Sequence, residues 1–144
     1  MLMNLLLGIP MTVLCLVLQA VMVGLSLPLY MDYRQHQERH SRGTTILVLS
    51  LVMMLMLLGN LMQMGLWALL FVVLGEFDSF ARALYFSGVT FATLGYGDVV
   101  LSPRWQLLSA LEAANGILMF GVSTAVITTA LGDVMKRYLQ QLGR

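Results

Sequence analysis

The stretch with the most chemical content runs Thr90-Phe91-Ala92-Thr93-Leu94-Gly95-Tyr96-Gly97-Asp98. Its chemistry resides in the backbone. Gly95 and Gly97 can take φ > 0 without a Cβ clash. A backbone that alternates between right- and left-handed regions turns successive carbonyls to one side. A row of carbonyl oxygens can replace the water around a bare cation. The rest of the chain offers little enzyme chemistry, with no paired carboxylates, metal-ligating cluster or nucleophile–base set. Cys15 is the single cysteine and lies in an apolar run, the setting of an inert buried thiol. His36 and His40 are four apart and would share a face of a helix. Histidine is the side chain whose ordinary pKa lies near neutral pH. Against a pH sensor stands the plainer reading of solvated loop residues.

The elements that position this loop follow from charge. Of 144 residues, 59% are hydrophobic and 10% charged, with mean hydropathy +0.85. An average soluble protein has about 25% charged residues. The balance argues against a soluble enzyme, a disordered tail or a nucleic-acid-binding module, and a net charge of +1 implies no global electrostatic partner. Met1–Met31 and Gly43–Gly75 carry no charged side chain, and Glu112 is the only charge between Trp105 and Gly132. Each run exceeds the roughly 20 residues that a helix needs to cross a bilayer. The expected spanning helices are 5–30, 44–74 and 105–134. The first run lacks a basic n-region and is too long for a signal-peptide core. Arg34, Arg39 and Arg42 mark the first polar loop as cytoplasmic, and Lys136, Arg137 and Arg144 do the same for the tail. Only Arg82 and Arg104 lie in the segment between the second and third runs, which is therefore outside. The N-terminus is then outside and the C-terminus inside. In the outer segment, Glu76-Phe77-Asp78-Ser79 is a helix-start signal. It predicts a short apolar helix over Ser79–Ala92, too short to span. A short apolar helix followed by Gly-rich backbone at membrane depth is tolerated only inside protein or against water. That requirement points to a pore.

Thr93-Leu94-Gly95-Tyr96-Gly97-Asp98 resembles the selectivity filter of potassium channels, with Leu94 where Val is usual. Ala83-Leu84-Tyr85-Phe86-Ser87 resembles the pore helix of that family, and Asn115-Gly116-Ile117-Leu118-Met119-Phe120-Gly121 resembles its inner helix around a hinge glycine. The resemblance covers about 44–135. It implies an all-α membrane protein with three transmembrane helices and a re-entrant pore helix and filter loop between the second and third. Residues 1–43 are then an extra helix and a basic loop, 44–135 the pore domain, and 136–144 a short tail. One chain supplies one row of carbonyls, so a ring implies a symmetric oligomer, by resemblance a homotetramer. The implied ion ligands are Thr93, Leu94, Gly95, Tyr96 and Gly97, with K+ at the first four. Asp98 then sits at the outer mouth, and Tyr96 braces the filter against the pore helix. The implied cofactors are none beyond permeant K+, the partners are lipid and further copies of the chain, and the location is a plasma membrane, the bacterial inner membrane by resemblance. Ala92 stands where many relatives carry Thr. Val89 stands where some carry an acidic brace behind the filter.

On the last helix, Ile117, Phe120, Gly121, Thr124 and Thr128 share one face by their spacing. By resemblance that face lines the cavity, with Gly116 as the hinge; a small-residue packing stripe is the alternative. Glu112 lies about 140° from that face at 100° per residue. It is expected to point toward the pore helix or second spanning helix and support the filter, with Asn60 and Gln63 as possible partners; a carboxylate that snorkels to an outer crevice and matters little is the alternative. Gln19, Asn60, Gln63 and Asn115 read as interhelical hydrogen-bond glue rather than ion ligands. Glu76, Asp78 and Asp98 lie outside, where they can raise local cation concentration, although for Glu76 and Asp78 a solvated helix start is the plainer reading. No helix carries Arg or Lys at every third position, so no voltage sensor of that kind is expected. Two further functions compete with a potassium channel: a poorly selective cation channel on the same scaffold, and a nonconducting membrane subunit.

Overall fold

A computed structural model of the protein describes the backbone of residues 1–35 and 42–142 and the side chains outside 32–42, 137–138 and 140–144. His36 and His40 lie outside the described residues. The order is α1 (Leu2–Gln35), α2 (Arg42–Val73), α3 (Phe80–Phe91) and α4 (Gln106–Leu142), with no strand among the described residues. Three segments are long and apolar enough to cross a membrane: Leu2–Met31, Gly43–Val73 and Gln106–Lys136. These match the expected spans to within a few residues. α4, however, continues as helix to Leu142, through most of the expected tail. Charge marks where hydrocarbon ends, and a solvated helix can run on beyond it.

α1 continues as helix through Pro10 and Pro28. It packs on both α2 and α4, while α3 packs against α2 and α4. At 12 residues α3 is about 18 Å long, well short of a hydrocarbon core of about 30 Å. The core lies where α3 meets the filter-end halves of α2 and α4, around Trp67, Phe71, Phe77, Phe86 and Leu108. Phe71 is its centre, with Phe77 and Phe86 edge-on at centroid distances of 6.4 and 5.3 Å. Elsewhere α1 and α2 expose large apolar side chains such as Leu6, Leu47 and Met54, as a lipid-facing surface requires.

Candidate functional site

The loop is built outward from α3. Ser79 caps the helix in an extended conformation, and its Oγ accepts from the Arg82 N–H at 3.4 Å. Glu76, three residues before Ser79, is no part of that helix. Its carboxylate accepts from both the backbone N–H and the hydroxyl of Ser102, each at 2.7 Å. That pair closes the outer segment into a loop with joined ends.

At its other end α3 stops in a Schellman motif. Thr93 N–H donates to Thr90 O and Leu94 N–H donates to Val89 O, both at 2.9 Å. The residue after the cap must then be left-handed. Here it is Thr93, at φ 58°. A β-branched residue there is strained by about 1–3 kcal/mol. Gly95 follows at φ 56° and Gly97 at φ 77°, so left-handed backbone recurs at every second residue from 93 to 97. Sequence reasoning placed the two glycines and missed Thr93. The signal was available, since the two-residue alternation extends back from Gly95 to the end of the helix.

Two amide groups of the loop are thus tied to α3. Among the described residues, no carbonyl from Thr93 to Gly97 accepts a hydrogen bond. The side chains of Leu94 and Tyr96 are 56% and 66% exposed in the single chain. At the loop's far end the Tyr85 hydroxyl of α3 donates to Asp98 Oδ2 at 2.7 Å. That bond favours the neutral phenol, so the Tyr85 pKa is raised above the ordinary tyrosine value. α3 therefore holds the loop at both ends.

α4 presents two opposed faces. Ile117, Phe120, Gly121, Thr124 and Thr128 are all exposed in the single chain, while Leu108, Glu112, Asn115, Met119 and Ser123 are buried. Phe120 also stacks edge-on against Phe91, at the end of α3, with centroids 5.6 Å apart. Gly116 lies where α4 passes the end of α3. A Cβ there would run into the Phe91 carbonyl, with its carbon at 2.8 Å. The absence of a side chain at 116 thus has a packing reason.

Glu112 is fully buried. Its Oε1 contacts the hydroxyl of Ser87 on α3, which also donates to Met64 O of α2 at 2.8 Å. Asn60 and Gln63, expected as partners of Glu112, are engaged elsewhere. Asn60 Nδ2 donates to Ser123 Oγ at 3.2 Å, and Gln63 Nε2 donates to Gln19 Oε1 at 2.8 Å. Together with Gln19 Nε2, which donates to Ser123 Oγ at 3.0 Å, they join α1, α2 and α4. The glue reading thus holds for Gln19, Asn60 and Gln63. Cys15 is buried beside Asn115 and Trp67.

Comparison with curated proteins gives no match, and neither does comparison with solved structures. A protein-family model described as "Ion channel" matches residues 45–133, which spans α2, α3, the alternating loop and α4 almost to the end of its membrane segment. That match takes in more than half of the chain and every element that builds the loop, and it makes this multi-pass membrane protein a member of the ion channel family.

Proposed function

We propose that the protein is a potassium-selective channel that carries K+ passively through a ring of backbone carbonyls. In this reading the chain is a homotetramer, with four copies of Thr93–Gly97 around one path. α3 is then a re-entrant pore helix, with its C-terminus aimed at the cavity. The partial negative charge of that end favours a cation. K+ exchanges its water for the carbonyls of Thr93, Leu94, Gly95 and Tyr96, and the Thr93 hydroxyl adds a ligand at the inner end. Asp98 places carboxylates at the outer mouth. Ile117, Phe120, Thr124 and Thr128 face the cavity, and Gly116 is the point where the inner helix bends. Glu112 supports the filter from behind through Ser87. The pore unit spans 44–135 in a plasma membrane, with the N-terminus outside.

The observation that carries this reading is the left-handed backbone at Thr93, Gly95 and Gly97, joined to a loop whose carbonyls accept no hydrogen bond within the described chain. Polar backbone left bare at membrane depth requires a partner, and a dehydrated cation is such a partner. Tyr96 bears on the same point. Its exposure in one chain is what a residue bracing against a neighbouring copy would show, and an open groove of about 370 Å³ beside Val89, Thr90 and Ala113 lies next to the loop. The test is ion uptake by liposomes that contain the purified protein. Rubidium and potassium should enter, and sodium should be largely excluded. Equal sodium uptake would leave only a poorly selective channel, and no uptake of any of the three ions would leave a nonconducting subunit.

A further inference from the structure

α1 lies outside the matched family segment, yet it is tied to α4 at several levels. At the filter end, Asn4 Nδ2 donates to Arg104 O at 3.0 Å, in the turn that leads into α4. Gly8 lies so close to α4 that a Cβ would run into Leu111. At mid-depth Gln19 reaches Ser123, and a Cβ on Gly59 of α2 would sit 3.0 Å from both Gln19 Oε1 and Met22 Cγ. α1 and α2 therefore form one tightly packed frame to the level of Ser123. Beyond that level an open groove of about 260 Å³ runs alongside α1 and α4, lined by Val23, Ser26 and Leu27 of α1, Val52 of α2, and Val126 and Ala130 of α4. At its far edge the Tyr30 hydroxyl donates to Asp133 Oδ2 at 2.9 Å.

We infer that α1 is a gating stay: it fixes the filter-end half of α4 and leaves the cytoplasmic half free to swing into this groove, with the Tyr30–Asp133 bond as the catch that opposes the swing. The inference rests on the channel reading above. Its physical basis is an asymmetry within one helix pair. Tight packing transmits force and resists displacement, whereas an open groove gives a helix room to move. The tethers also bear on the back of α4, since Ser123 belongs to the buried face and Thr124 and Thr128 to the exposed one. A swing of the far half therefore changes the cavity that ions cross without disturbing the filter.

Two substitutions should act in opposite senses. Tyr30→Phe releases the catch and keeps the ring. Ala130→Leu fills the groove and blocks the swing, and Ser26→Leu does so from the α1 side if Ala130→Leu fails to assemble. Single-channel recording of the full-length tetramer should show open probability shifted about threefold or more by Tyr30→Phe. Filling the groove should shift it in the other direction, with reversal potential unchanged in both. Asp133→Asn combined with Tyr30→Phe should do no more than Tyr30→Phe alone. Shifts in the same direction, or no shift, would overturn the stay. A nitroxide at Leu131→Cys, in a Cys15→Ala background, reads the same motion without conduction. Its spectrum should sharpen in Tyr30→Phe and broaden on filling. If the wild-type passes no potassium but the spectra move as stated, the channel reading fails and the stay survives. If it conducts and the spectra stay fixed, the reverse holds.

Discussion

Gly97 takes φ 77° with open space where a Cβ would point, so its requirement is backbone handedness rather than room. Gly97→Ala should therefore cost about 1–2 kcal/mol per subunit from the left-handed penalty. Selective rubidium uptake should be abolished while the protein still reaches the membrane. Retained selective uptake would show that the alternation is dispensable. The two glycines were legible in sequence because no other residue takes positive φ so freely. Thr93 was not, because residue type argues against it; the requirement comes from the Schellman end of α3, which only the hydrogen bonds of Thr93 and Leu94 reveal. The Tyr85–Asp98 bond has a pH signature of its own. A raised tyrosine pKa means that the neutral phenol is the bonded form, so its stabilisation is complete below the ordinary tyrosine pKa of about 10 and is lost as pH rises through the raised value. Spectrophotometric titration should find Tyr85 ionising above the ordinary value, and Asp98→Asn should bring it back. An unchanged titration in Asp98→Asn would remove the bond from the account.

At the scale of elements, three helices meet at Ser87, which sits between Met64 O of α2 and Glu112 of α4. Glu112→Gln keeps a polar group that can donate to Ser87, so it should preserve both tetramers and flux. Glu112→Leu removes that partner from a buried hydroxyl, and by about 1 kcal/mol per subunit should lower the thermal stability of the tetramer or hasten the decay of flux. Unchanged stability and flux in Glu112→Leu would end the supporting role. Wheel arithmetic directed Glu112 away from the exposed face of α4 and toward the pore helix. It carried no depth, and so offered Asn60 and Gln63, which reach Ser123 and Gln19 instead. Helix type and span were legible because hydropathy and charge are strong over thirty residues, and the α3 boundaries because Ser79 is a good cap. The end of α4 was not, since nothing in the charge pattern separates a membrane exit from a helix end.

At the scale of the molecule, α1 must place its first residues on the same side as the loop, since Asn4 binds Arg104 O. With six of the eight basic residues assigned to the other side, that side should be cytoplasmic. An N-terminal tag should be reached by an impermeant reagent in intact cells, and labelling only after lysis would invert the topology. Assembly was legible only indirectly, from the need to close a ring around one row of carbonyls. Within one chain it leaves a bare loop and an exposed Tyr96. Cross-linking of the purified protein should stop at four chains. The central claim, that these bare carbonyls select potassium, is tested most directly by the reversal potential in a planar bilayer with potassium on one side and sodium on the other. The account predicts a potential strongly displaced toward the potassium equilibrium value. A potential near zero would contradict it.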